Sequence, residues 1–346
     1  SLVSDIAVLW LNGIIRNLIL ILTESLMDKF NQLIKQEMTV LDQVIRQDLG
    51  SQVPLVNTVG EYIIAGGGKR IRPLLTILCG KVLGNHSELL YKMAAMVEYI
   101  HTATLLHDDV VDESGLRRGR ATSNAIFGNA ASVLVGDFIY TRAFQMMVQS
   151  NSLRVLKIMA DSTNIISEGE VLQLLNIGRS DLSEAEYFKV IESKTAKLFE
   201  AGARTAAIIS AADAAQEEHL ANYAIYLGTA FQIVDDILDY NSTAEAMGKN
   251  VGDDLLEGKV TLPLIYLLAH GSQNAKELIV AAIDDPKHAD VAQVVELVKT
   301  SSALEYCSQL AREYVAKAQR ELEYFSLSEY REALSTIANL SVERIS

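Results

Sequence analysis

LLHDDVVD (residues 105–112) and FQIVDDILD (231–239) decide how this chain is read. Each places a DDxxD run at the end of a strongly apolar segment with helical character. Carboxylates in such a setting are costly to bury unless they meet cations. Residues four apart share a helix face, so Asp108 points with Asp112 and Asp235 with Asp239. Two such clusters facing one cavity would hold hard divalent cations, and those cations would hold a diphosphate. Mg²⁺ suits this donor set, because it prefers oxygen ligands and keeps positions open for water and phosphate. A calcium loop would need spaced Asp or Asn residues around a turn glycine, and that pattern is missing.

Outward from these runs, the chain reads as helix after helix. Apolar residues recur at helical spacing over 25–48 (Leu26, Phe30, Leu33, Ile34, Leu41, Ile45). GGGKRIRP (66–73) breaks the next helix, and Pro73 suits the first turn of another. Residues 88–112 form one long helix, and 113–124 a polar loop. Further helices are expected over 130–149, 152–177, 184–211, 216–240, 260–270, 290–299 and 303–323. Alternating strand patterns are nearly absent, and only four prolines interrupt 346 residues. The expectation is an all-α, single-domain bundle over 25–346, with about ten or more long helices around a central cavity.

Composition excludes several classes. Hydrophobic residues make up 49 % of the chain, too many for a disordered protein. The net charge of −14 argues against a nucleic-acid partner. Cys79 and Cys307 lack metal-ligand spacing, which fits a reduced, cytoplasmic protein. Glu98 and His101 form one ExxH, but a di-iron bundle needs two, and no second occurs. The apolar stretch from Ile6 to Leu22 is broken by Asn12, Gly13, Arg16 and Asn17, and a membrane-spanning helix needs about 20 predominantly apolar residues. Residues 1–24 are therefore read as an extension. It is either non-native, a helix packed on the body or a partner subunit, or a helix at a membrane surface.

An acidic chain that binds an anion must concentrate its cations. Lys69, Arg70 and Arg72 lie in the glycine-broken turn. Arg117, Arg118 and Arg120 follow the first acidic run, and Lys194, Lys249 and Lys259 surround the second half. Arginine forks match phosphate oxygens, while lysine acts as a point charge. Two anion sites follow: one built on metals, for a group that leaves, and one on Lys and Arg, for an anion that stays. Loss of diphosphate would leave a carbocation, which apolar walls shield from water. Gln232 lies three residues before Asp235, and His101 seven before Asp108, so both fall on the faces that carry these carboxylates.

GGGKRIRP (66–73), HTATLLHDDVVDESGLRRG (101–119), GDFIYTRAF (136–144), EGEVLQL (168–174), SKTAKLFE (193–200), GTAFQIVDDILDY (228–240) and GKNVGDDLLEGKVTLPL (248–264) occur in that order. Over residues 25–346 the chain resembles the trans-polyprenyl diphosphate synthase family, most of all its bacterial octaprenyl members. The resemblance implies the isoprenoid synthase fold and condensation of isopentenyl diphosphate onto an allylic diphosphate, farnesyl as primer. It also implies three Mg²⁺ ions held chiefly by Asp108, Asp112 and Asp235, with Asp109, Asp236 and Asp239 in support. Arg117, Lys194, Thr195, Gln232, Lys249 and Lys259 would grip the allylic diphosphate. Lys69, Arg70, Arg72, His101 and Arg118 would form the isopentenyl diphosphate site. A homodimer, transient membrane contact and a quinone-side-chain product are implied in the same way.

Product length turns on what lies beneath Asp108. Thr104 sits one turn away, about 6 Å along the axis, with Ala103 beside it. Both are small where short-product relatives carry aromatic rings, which implies a long product; the resemblance implies octaprenyl length. Met147 and Met159 are the candidates for a deeper floor. The competing readings are a shorter- or longer-chain synthase, a non-catalytic subunit, and a cyclase or head-to-head synthase. Subunits lose one acidic run and cyclases alter the second; this chain keeps both runs intact.

Overall fold

The computed structural model describes residues 26–117, 119–241 and 251–345. Residues 1–24, Arg118 and Lys249 therefore lie outside the described residues. Helix α1 covers 26–48. It is followed by α2 (Pro54–Ala65), α3 (Ile71–Val82) and α4 (Glu88–Val111). A two-stranded antiparallel hairpin, β1 (Leu116–Arg117) and β2 (Arg120–Ala121), then leads into α5 (Ser123–Phe127) and α6 (Asn129–Val148). Next come α7 (Leu153–Leu175), α8 (Glu184–Ile191), a π-turn (Glu192–Ala196), α9 (Lys197–Ile209) and α10 (Ala214–Asn241). The last stretch holds α11 (Asp253–Leu256), α12 (Leu262–His270), α13 (Gln273–Asp284), α14 (Val291–Thr300), α15 (Ala303–Leu322) and α16 (Glu329–Glu343). The all-α expectation holds: the only strands among the described residues are the four hairpin residues.

Local chemistry explains most boundaries. Ser152, Ser183, Ser272, Asp290 and Ser328 each accept a backbone N–H at a helix start, and Ser183 with Glu186 closes a capping box. Pro54 and Pro263 occupy first-turn positions, where a missing N–H costs nothing. The structure adds four helices, α5, α11, α13 and α16, to those expected, and it breaks the expected 184–211 helix at Glu192–Ala196. In the expected polar loop it places the small hairpin, closed by Thr122 donating through Oγ1 to Ser114 O at 2.6 Å.

Two helices organise the interior. Helix α4 lies against α3, α6 and α9, and α10 against α9, α15 and α16. One apolar cluster joins α1, α2, α4, α6 and α7 through Leu41, Tyr99, Ala103, Ile139, Met147 and Met159. A second joins α3, α9, α10, α15 and α16 through Leu75, Phe199, Tyr223 and Leu334. A third surrounds the far half of α10 with Leu264, Val298 and Cys307. Each fully buried Leu or Ile contributes roughly 1.5–3 kcal/mol. Cys79 and Cys307 are both buried and unpaired. No helix of the described residues is long and apolar enough to cross a membrane.

Buried hydroxyls fix the bundle's edges. Tyr99 donates to Ile45 O at 2.5 Å, tying α4 to α1, and Tyr223 donates to Leu334 O at 2.7 Å, tying α10 to α16. Replacing Tyr99 with Phe keeps the ring and removes one buried hydrogen bond. The expected loss is about 1 kcal/mol of unfolding free energy, measured by urea denaturation; unchanged stability would contradict the tie.

Candidate active site

Helices α4 and α10 end at the same cleft, a cavity of about 230 Å³ lined by Asp108, Asp112, Lys194, Gln232, Asp236 and Lys259 among others. The six aspartates do not share one role. The Asp108, Asp112 and Asp235 side chains remain 19, 20 and 45 % exposed. Asp109, Asp236 and Asp239 are buried, at 1, 3 and 2 %. Asp108 and Asp112 share one face of the cleft; in the second run the buried Asp236 lines the cleft, and Asp239 turns inward instead of sharing the exposed face of Asp235.

The inward residues are scaffold. Asp109 Oδ1 accepts Arg117 Nε and Nη2 at 2.9 and 2.7 Å, and its carbonyl accepts Asn124 Nδ2 at 3.2 Å. Asp236 accepts the Tyr187 hydroxyl at 2.5 Å and Gln232 Nε2 at 2.9 Å. Burial, and then neighbouring Asp254, push the Asp236 carboxyl above its usual range. Asp239 receives the chain returning after α10: Gly252 N donates to its carbonyl at 2.9 Å, and Asp254 N to Oδ2 at 3.4 Å. Burial likewise raises Asp108, opposed by Lys194.

The cations answer the accessible carboxylates. Lys259 reaches Asp112 Oδ2 at 2.9 Å and Glu257 Oε2 at 2.7 Å. Burial disfavours its charge, but the two carboxylates prevail and hold it firmly protonated. Lys194 sits in the π-turn, 2.7 Å from Glu170 Oε2, 2.7 Å from Gln173 Oε1 and 3.7 Å from Asp108 Oδ2. Its neighbour Thr195 donates through Oγ1 to Gln232 Oε1 at 2.9 Å. Two glycines let this turn be squeezed between helices. A Cβ at Gly169 would stand 2.9 Å from Lys194 N, and one at Gly228 would stand 2.8 Å from Ala196 Cα. A π-turn inside a helix is a frequent mark of a functional site.

A second cationic group gathers nearby. Arg72 Nη1 lies 3.2 Å from His101 Nε2, and its guanidinium covers the Phe199 ring at 4.7 Å. A guanidinium only donates, so Nε2 is the acceptor in this pair. Lys69 and Arg72 both act electrostatically on Asp235. Arg344, just past α16, reaches Asp235 Oδ1 at 3.2 Å and lies over the Phe231 ring at 5.6 Å. Arg70 departs from its expected place: it pairs with Asp42 of α1 and donates to Ile64 O at 3.3 Å, so it anchors the loop to the bundle. Arg117 lines the cleft as expected, with Nε and Nη2 bound to Asp109 Oδ1. Sequence reasoning missed Glu170, Gln173, Tyr187, Asp254 and Arg344. Glu170 and Gln173 were visible only as a polar pair three apart in EGEVLQL, and Arg344 as a lone cation after an apolar-periodic helix.

A third feature is an apolar cavity of about 450 Å³ between α4, α6 and α7. Asp108, Asp112, Gln173 and Lys259 line both this cavity and the polar cleft. Thr104, Val111, Tyr140, Ile166, Val171 and Leu174 continue its wall. Ala103, the other small residue singled out, is fully buried in the core and does not line the cavity. Met147 and Met159 are also fully buried, within the cluster shared by α4, α6 and α7.

The model of the family described as polyprenyl synthetase matches residues 53–300. The chain is 51 % identical to the octaprenyl diphosphate synthase of Haemophilus influenzae, over 92 % of this chain and 97 % of that protein. It is 48 % identical to the octaprenyl diphosphate synthase of Escherichia coli, over 92 % of this chain and 99 % of that one. Its fold matches the polyprenyl synthase of Caulobacter crescentus solved with calcium and isoprenyl diphosphate, with a TM-score of 0.88 and 42 % identity over 92 and 98 % of the two chains. The heptaprenyl diphosphate synthase of Staphylococcus aureus gives 0.87 at 26 % identity over 90 and 99 %. The chain belongs to the polyprenyl synthetase family and is a prenyltransferase.

Lys194 stands 3.7 Å from the accessible Asp108 carboxylate while its shorter contacts go to Glu170 and Gln173. Lys194→Met should lower kcat by about a hundredfold, the usual cost of losing one preorganised electrostatic contact in a site of this kind. Steady-state kinetics with both diphosphates would check this; an unchanged kcat would remove Lys194 from the chemistry.

Proposed function

We propose that this chain is a long-chain trans-polyprenyl diphosphate synthase. It would add isopentenyl diphosphate repeatedly to farnesyl diphosphate, giving a product of octaprenyl length, as its relatives' names describe. One observation carries this reading: the polar cleft and the apolar cavity meet at Asp108 and Asp112. A diphosphate can therefore sit among charges while its hydrocarbon tail leaves water.

The donor set fits Mg²⁺. The accessible ligands are carboxylate oxygens, and among the described residues no three His, Cys, Asp or Glu side chains close into a cage. Mg²⁺ favours such a half-built site, which substrate phosphate and water complete. Asp108, Asp112 and Asp235 would hold the ions, three with diphosphate bound, and Mg²⁺ there would neutralise charge on the departing diphosphate.

The chain's own residues do the rest. Lys194 and Lys259 hold partners they can share with phosphate oxygens, and Thr195 with Gln232 keeps the π-turn registered on α10. Outside the described residues, Lys249 is assigned to the same diphosphate. Lys69, Arg72 and His101, with Arg118 beyond the described residues, receive the diphosphate that is retained. The allylic C–O bond breaks and its electron pair leaves with diphosphate. The double bond of isopentenyl diphosphate attacks the cation, and the departing diphosphate takes the proton that is lost. The hydrocarbon-lined walls keep water from the cation meanwhile.

Residues 25–346 are read as one prenyltransferase domain that works as a homodimer. The exposed apolar residues Val133, Leu134, Phe144, Val148, Leu174 and Leu175 on α6 and α7 support pairing on that face. A cytoplasmic enzyme with transient membrane contact suits a water-insoluble product, and a quinone side chain is its proposed fate.

Incubation with labelled isopentenyl diphosphate, farnesyl diphosphate and Mg²⁺ should give extractable polyprenyl lipid that co-migrates with octaprenol after hydrolysis. No elongation from any allylic primer would defeat the proposal. Thr104→Phe should shorten the product, because Thr104 lines the apolar cavity. Ala103→Tyr should chiefly cost stability, roughly 1–3 kcal/mol from overpacking. Unchanged chain length in Thr104→Phe would remove this cavity as the product's path.

A further inference from the structure

His107, before the first acidic run, and Asp137, in the GDFIYTRAF stretch, line the apolar cavity beside Asp108 but have been given no role so far. They meet each other. His107 Nε2 lies 3.1 Å from Val133 O and 3.3 Å from Asp137 Oδ1, both on α6. The carbonyl can only accept, so Nε2 carries the hydrogen. The approach depends on Gly136: a Cβ built there would stand 2.4 Å from Nε2 and 2.7 Å from Cδ2 of the imidazole. At the other side of Asp108, Asp109 is held by Arg117 through its side chain, and by Asn124 Nδ2 and Ser114 N through its carbonyl. Successive helix residues are turned about 100° apart. Residues 107 and 109 are therefore fastened in different directions, to α6 and to the hairpin side. Asp108, between them, is left facing the cleft with no freedom to roll with its turn.

We propose that His107 is a positioning residue, fastening the last turn of α4 to α6 so that the Asp108 carboxylate keeps its aim. This rests on the reading of Asp108 as a metal ligand. Groups that orient a ligand in this way typically change metal affinity or activity ten- to a hundredfold when removed. Gly136 serves the same contact by leaving room for the ring. Asp137 adds a second, solvent-side acceptor.

The test is calorimetric titration of the full-length protein with inorganic diphosphate in saturating Mg²⁺, alongside melting temperatures. His107→Leu should weaken diphosphate binding about ten- to a hundredfold. His107→Gln, whose amide can reach the same carbonyl, should recover most of it. Gly136→Ala keeps His107 but displaces its ring. Because Ala favours the helix, a loss of binding in that variant cannot come from a weakened α6; it should resemble His107→Leu. Asp108→Asn serves as reference: if it leaves Mg²⁺-dependent binding intact, the ligand reading of Asp108 fails, independently of His107. If Asp108→Asn abolishes binding while His107→Leu and Gly136→Ala bind as the wild type does, the positioning role is overturned. Equal losses in His107→Leu and His107→Gln would also overturn it.

Discussion

Like charges forced together in a partly dry cleft are the constraint on which this structure turns. The protein carries a net charge of −14, yet it lines the polar cleft and the adjoining cavity with Asp108, Asp112, Asp236, Glu170, Asp254 and Glu257. Two unit charges 4 Å apart interact with about 4 kcal/mol at an effective dielectric near 20. Such a cluster would push α4 and α10 apart unless each oxygen were answered. Lys259 answers Asp112 and Glu257, Lys194 answers Glu170 and Asp108, and Arg117 answers Asp109. The cations expected to grip a substrate are thus also the partners of the site's own carboxylates.

The same constraint divides labour within each DDxxD. A helix cannot turn adjacent residues to one face, so each doubled aspartate leaves one carboxylate exposed, Asp108 or Asp235, and buries the other, Asp109 or Asp236. The inward one is tolerable only when fully hydrogen-bonded. Asp236 meets Tyr187 and Gln232, and Gln232 passes the connection to Thr195 and hence to the turn bearing Lys194. The buried aspartates thereby set the geometry of elements that are far away in sequence. Substituting one of them would disturb the neighbouring turn as well as remove a charge.

Helix content, the acidic runs and the cationic segments were legible because they are written in local periodicity and short motifs. Residues whose meaning depends on a distant partner were not. Tyr187 finds Asp236 across 49 positions, and Lys259 finds Asp112 across 147. The π-turn was hidden because the apolar pattern runs on through 184–211; only contact with Gly169 and Gly228 reveals that an extra residue is accommodated there. Arg70 and Arg72 look equivalent in GGGKRIRP, but the left-handed backbone at Arg70 (φ 45°) sends one to Asp42 and leaves the other on α3 facing His101. Ala103 and Thr104 are both small, and helix phase alone separates them. Four residues from Asp108 lies on its face; five does not.

That last distinction bears on how one site can both start and stop a polymer. The carboxylate end of the cavity is fixed by ion pairs and hydrogen bonds, and in the proposed reaction it sets where each new unit is joined. The far end is bounded by side chains such as Tyr140, Ile166 and Leu174, whose contacts are dispersive and shape-dependent. On the proposed path, each added unit would move more hydrocarbon from water into this space at a gain of about 25 cal/mol per Å² buried, so growth would stay favourable while room remains. When the tail meets a close-packed wall, further insertion demands displaced side chains and the gain reverses. Met147 and Met159, fully buried in the shared cluster of α4, α6 and α7, belong to that resistance more than to the open cavity. As flexible, unbranched side chains they yield before they block. Product length then follows from the point where the cost of repacking overtakes the gain from burial.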